Sequence, residues 1–199
     1  MPPRVAWRPG SGHFAGGDAF RRLRYEHDRA CDSLASIKTP ATAQLVFKHD
    51  DFAQELLIAP AARSHLARHR QCFRWSKEAG GQLFGVVSDK AVCILEANGP
   101  GPRDERTRVS FRSDPVVAQR NIDLRADRGM LYLGEWHTHP EAQPVASAMD
   151  IDAFSRLLRQ SEVRVSSLLL VIQGTENGPP GITVYSGQAA DIKKWALKI

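Results

Sequence analysis

At 199 residues the chain can bury one ordinary core and is too short for two large domains. Apolar residues at 42% and charged residues at 25% exclude collagenous, disulfide-scaffold and wholly disordered classes. The net charge of +5 would suit nucleic acid, an acidic protein face or anionic lipid, and charge alone does not choose among them. No stretch has the roughly 18 apolar residues of a bilayer-spanning helix. The N-terminus Met1-Pro-Pro-Arg-Val-Ala-Trp-Arg lacks the apolar region of a secretory signal, so a cytoplasmic protein without membrane partners is expected. Cys31, Cys72 and Cys93 stand far apart with no CxxC pair, which indicates neither a disulfide framework nor a cysteine zinc knuckle.

Residues 1–43, rich in early Gly and Pro and then in charge, read as a partly ordered basic extension. Phe20, Leu23, Leu34 and Ile37 could dock one helix there. A domain over 44–199 follows. Gln44-Leu-Val-Phe and Leu56-Leu-Ile predict strands, and Pro60 opens a helix ending near Arg70. Gln82-Leu-Phe-Gly-Val-Val and Ala91-Val-Cys-Ile-Leu predict an antiparallel pair across the polar turn Ser88-Asp-Lys. After the breaker Gly99-Pro-Gly-Pro-Arg-Asp, Arg108-Val-Ser-Phe-Arg predicts a strand. A helix follows from about residue 115, with Val116, Val117, Ile122 and Leu124 as its apolar positions. Met130-Leu-Tyr-Leu-Gly-Glu-Trp predicts a buried strand that runs straight into His137-Thr-His139-Pro140. Ser147 precedes a helix with Ile151, Phe154, Leu157 and Leu158 on one face. Ser166-Ser-Leu-Leu-Leu-Val-Ile predicts another buried strand, and Ile182-Thr-Val-Tyr the last, before a short amphipathic tail with Trp195 and Leu197. The expected fold is mixed α/β, one central sheet flanked by helices.

His137 and His139 alternate by two, so on a regular strand their imidazoles share a face and can converge on one ion. Asp150, eleven positions on, supplies a carboxylate, and a His₂-carboxylate set leaves a fourth tetrahedral position open, as a catalytic zinc requires. A separate acid, Glu78, precedes the glycines of Glu78-Ala-Gly-Gly-Gln-Leu-Phe-Gly. Each residue alone has a plainer reading: Glu78 as a strand-entry carboxylate, Ser147 as an N-cap, Asp150 as a helix-dipole partner. Glu135 and Trp136 read as packing or ligand-orienting neighbours. His65-Leu-Ala-Arg-His69 superficially has the spacing of H-E-x-x-H, but Leu66 occupies the place of the general base and three arginines surround it.

Taken together, Glu78, His137-x-His139 and the Ser147-x-x-Asp150 that follows after seven residues resemble the signature of the JAMM metallopeptidases, the catalytically competent MPN domains. The resemblance covers roughly residues 44–199. It implies a single domain with a cytidine-deaminase-like central mixed sheet, and Zn²⁺ held by His137, His139 and Asp150. It also implies Glu78 as the base that takes a proton from water and passes it to the departing amine, and Ser147 as a hydrogen-bond donor to the oxyanion.

Glu78-Ala-Gly-Gly-Gln-Leu-Phe-Gly, Gly99-Pro-Gly-Pro-Arg-Asp and Gly134-Glu-Trp-His-Thr-His-Pro-Glu resemble, further, a bacterial JAMM subgroup of mobile elements and anti-phage operons, which includes the deconjugase of CBASS-type systems. The implied substrate is a ubiquitin-like protein or its conjugate, with the operon's adenylating and conjugating enzymes as neighbours. Two other expectations stand beside it: a hydrolase that frees an amino acid from a small sulfur-carrier protein, and a metal-free MPN scaffold or basic nucleic-acid-binding module.

Overall fold

The structure, a computed structural model, describes residues 44–161, 165–188 and 191–198. The expected helix around Phe20 to Ile37 lies outside the described residues. Eleven strands and three α-helices follow in the order β1 (Leu45–Lys48), β2 (Glu55–Ile58), α1 (Pro60–Arg68), β3 (Gly80–Val87), β4 (Ala91–Ala97), β5 (Glu105–Arg106), β6 (Phe111–Arg112), α2 (Pro115–Ala126), β7 (Leu131–Thr138), α3 (Ala148–Gln160), β8 (Leu168–Gln173), β9 (Ile182–Gln188), β10 (Asp191–Lys194) and β11 (Ala196–Leu197). Nine strands form one sheet in the order β10-β9-β8-β7-β3-β4-β2-β1-β11. The β2–β4 and β7–β8 pairs are parallel and the others antiparallel, so the sheet is mixed.

The two ends of that order are consecutive in sequence. Only Trp195 separates β10, which pairs with β9, from β11, which pairs with β1. The sheet must therefore curl until its edges meet, and the C-terminal segment closes the seam, protecting both edges. Trp195 is the pin: it is buried, stacks on Phe52 at 5.0 Å between ring centroids, and donates its indole N–H to Ser186 Oγ at 2.9 Å. The amphipathic tail expected from sequence is thus a pair of short strands.

Strands β3 and β8 are buried at every position, which matches their continuous apolar runs. Helix α1 buries Ala62 and Leu66, and α3 buries Phe154. Helix α2 forms where expected, with Pro115 in its first turn and Asp114 accepting from the Val117 N–H. Its apolar positions do not make a core face, however, since Val116 and Leu124 are exposed and no residue of α2 is buried. Arg125 anchors α2 instead, through an ion pair with Glu96 and by lying over the Phe84 ring at 5.0 Å. The segment expected as one strand at Arg108–Arg112 is a hairpin: Thr107 N–H donates to the Ser110 carbonyl at 2.9 Å, and β5 pairs with β6 on either side of that turn.

Candidate metal centre

Strand β3 runs antiparallel to β7 with Gly80 opposite His137, so the entrance of β3, carrying Glu78, lies against the exit of β7, carrying His137 and His139. Backbone bonds lock the two together: Thr138 N–H donates to the Ala79 carbonyl at 2.8 Å and Ala79 N–H to Thr138 Oγ1 at 2.9 Å. Gly80 is required by the close approach of the β5–β6 hairpin. A Cβ there would meet the Phe111 ring at 2.4 Å and the Trp136 carbonyl at 2.6 Å.

The third element is the start of α3. Ser147 is its N-cap and Asp150 its third residue, and they form a capping box in which Ser147 N–H donates to Asp150 Oδ2 at 2.7 Å and Asp150 N–H to Ser147 Oγ at 3.2 Å. The Ser147 hydroxyl also donates to Asp150 Oδ2 at 2.6 Å. The cap thereby orients the carboxylate towards the histidines.

Three side chains then converge. His137 Nε2 lies 3.1 Å from His139 Nε2 and 3.3 Å from Asp150 Oδ1, while His139 Nε2 lies 3.3 Å from Asp150 Oδ2. Ligands about 2.0–2.1 Å from a tetrahedral ion stand about 3.3 Å from one another, so this donor set fits one divalent metal. Glu78 stands further off, 3.9 Å from His137 Nε2. One of its carboxylate oxygens still falls with the two histidine nitrogens in a group spanning 4.8 Å. Asp150 thus stands nearer to both histidines than Glu78 does to His137.

The family described as prokaryotic homologs of the JAB domain matches residues 59–197. The chain belongs to that family. It is 34% identical over 114 residues to a CD-NTase/cGAS isopeptidase of Escherichia coli strain TW11681, covering 56% of this chain and 72% of that protein. It is 30% identical over 137 residues to a CD-NTase/cGAS isopeptidase of Vibrio cholerae, covering 67% and 85%. A probable metalloprotease of Sinorhizobium fredii is 34% identical over 115 residues, covering 54% of this chain and 70% of that protein. The chain is accordingly a hydrolase, a peptidase or isopeptidase of JAB type.

Electrostatics separate the carboxylates of this JAB domain. Burial pushes Glu78 up to about 7, with the charges of Asp150 and Glu141 adding to the rise and His139 opposing it. Burial also works against ionising Asp150, yet hydrogen bonds with His137, His139 and Ser147 hold it well below the ordinary carboxylate range. Burial disfavours a charged His139, but Asp150, Glu141 and Glu78 more than offset this and raise it. One carboxyl is thus held ionised among hydrogen-bond donors while burial raises its neighbour.

Several residues shape the centre that sequence reading did not single out. Glu141 Oε2 lies 3.2 Å from His139 Nδ1, while the Nε2 of the same ring faces Asp150. Thr138, fully buried, donates to Gln71 Oε1 at 3.0 Å, and Gln71 in turn donates to the Arg108 carbonyl at 2.8 Å. That chain of bonds joins α1's exit, the hairpin and β7 around Glu78. The Glu78 backbone is held as well, its N–H by the Thr107 carbonyl at 2.7 Å and its carbonyl by Arg106 Nε at 2.6 Å. Trp136, which the sequence offered as a packing or ligand-orienting neighbour, is buried and donates to the Asn98 carbonyl at 2.8 Å. His65 and His69 pack their rings against Trp136, and among the described residues they enter no metal-ligating group.

Proposed function

We propose that this chain is a zinc-dependent isopeptidase that cuts the amide joining the C-terminal tail of a ubiquitin-like protein, or of a conjugated CD-NTase/cGAS-type enzyme, to a target amine. The observation that carries the reading is the convergence of His137, His139 and Asp150 at tetrahedral-ligand distances, with the buried Glu78 beside them but outside the set. The names of the relatives support the substrate class. On this reading the operon's adenylating and conjugating enzymes, which build the conjugate, are the functional neighbours.

Zinc held by His137, His139 and Asp150 would supply Lewis acidity, making water a nucleophile near neutral pH and polarising the scissile carbonyl. Glu78 accepts the proton that water loses on attacking the carbonyl carbon, and returns it to the nitrogen as the C–N bond breaks. Proton and charge balance with no other acid. Ser147 holds the Asp150 carboxylate in the structure; with its hydroxyl turned into the cleft it donates to the oxyanion. An extended tail would add to the β5–β6 hairpin, whose Ser110 and Phe111 line the cleft.

Metal removal tests the reading. Treatment with a chelator should abolish cleavage of a ubiquitin-like conjugate, and one equivalent of zinc should restore it. Full cleavage by metal-free protein would refute zinc dependence. Nucleic-acid binding without stoichiometric zinc would favour a scaffold instead.

A further inference from the structure

The cleft beside the metal centre contains a carboxylate for which the proposed reaction has no use. A cavity of about 220 Å³ lies between α3, the β5–β6 hairpin and β7, lined at the metal centre by Glu78, His137 and Asp150. Phe111, Met149, Ala153, Leu157 and Leu170 form the apolar part of its walls. From Asp150 to Leu157 the helix advances about 10 Å, room for about three residues of extended chain. Glu135 lines the same cavity.

Glu135 stands two residues before His137 on β7, so the two side chains leave the strand on one face, roughly 6.6 Å apart along it. A bulge sets this face. Leu83 pairs with Gly134 and Phe84 with Tyr132, which leaves Leu133 unpaired. Gly134 takes φ 137° there, and a Cβ would strike the Leu169 carbonyl at 2.0 Å. No lysine or arginine among the described residues forms an ion pair with the Glu135 carboxylate, and burial pushes it up to about 7. Arg156, the single arginine or lysine lining the cavity, is exposed. A carboxylate can accept about four hydrogen bonds, and taking one out of water without a cationic partner is costly.

We infer that Glu135 is a specificity-determining residue that receives a basic side chain, arginine or lysine, from the substrate residue about two positions from the scissile carbonyl. This rests on the isopeptidase reading. An extended tail advances about 3.3 Å per residue, so a carbonyl held at the histidines places its second or third neighbour opposite Glu135. The apolar walls suit the methylene stem of such a side chain while the carboxylate takes its charged head. A substrate acid at that position would meet a like charge in the same cleft and be rejected.

The test uses synthetic hexapeptides joined through their C-terminal carbonyl to the ε-amine of an acetyl-lysine amide. Arginine or its neutral isostere citrulline is placed at the second, third or fourth position from the cut. Zinc-loaded wild type should prefer arginine at one position by about 10- to 100-fold in kcat/KM, and Glu135→Gln should erase that preference. The same ratio is read from Kd on the Glu78→Gln protein, so the subsite is judged even without turnover. Equal treatment of arginine and citrulline at every position, or a preference that survives Glu135→Gln, overturns the inference. Absence of cleavage with the arginine preference intact in binding would count against the isopeptidase reading and leave the subsite standing.

Discussion

The seam at Trp195 and the end that gathers the histidines and carboxylates are built by opposite means. At the seam, Trp195 lies flat on Phe52, its N–H is satisfied by Ser186, and the neighbouring strands bring apolar side chains. At the centre, three carboxyl groups, Glu78, Asp150 and Glu141, crowd two imidazoles. The charge of Asp150 helps to raise Glu78, so these groups burden one another. Such a cluster persists because backbone bonds to Glu78, the Thr138–Gln71 chain and the capping box at Ser147 fix each member separately. Stability and chemistry are therefore located apart, and substitutions should divide them.

The largest effect is expected from His139→Ala, which removes one proposed ligand: bound metal and turnover should both fall to background, measured by metal analysis and conjugate cleavage. Glu78→Gln should lower turnover by about 10²- to 10⁴-fold with metal content unchanged, and should leave the denaturation midpoint unchanged or higher because a crowded carboxylate becomes neutral. A parallel loss of metal would instead make Glu78 a ligand. At the seam, Trp195→Ala should cost about 3–5 kcal/mol in denaturant unfolding, while the protein that remains folded keeps its metal. Glu141→Gln is the mildest: metal affinity should weaken by about 10- to 100-fold in a chelator competition, with little change in stability.

What the sequence made legible follows from distance along the chain. The β3–β4 hairpin, the N-cap at Ser147 and the shared face of His137 and His139 are local patterns, and each appears in the structure where its spacing places it. The gathering of Glu78 with them depends on the β3–β7 register, which no window of sequence displays. Thr138 was silent for the same reason, because its partner Gln71 lies 67 positions away. Glu141 is close in sequence but exposed, and an exposed glutamate after a proline carries no pattern of its own. Val116 and Leu124 misled because helix periodicity gives a face without saying that the face is covered; Arg125 does the anchoring. The closing of the sheet rests on two short strands either side of Trp195, too brief for alternation to be seen.

Zinc-edge X-ray absorption on the purified, zinc-loaded protein tests the central claim most directly. It should report one ion with two imidazole nitrogens and one carboxylate at about 2.0–2.1 Å plus a light atom from solvent, with an imidazole lost in His139→Ala and the spectrum unaltered in His65→Ala. An ion bound through His65 and His69, or no stoichiometric ion at all, would contradict it.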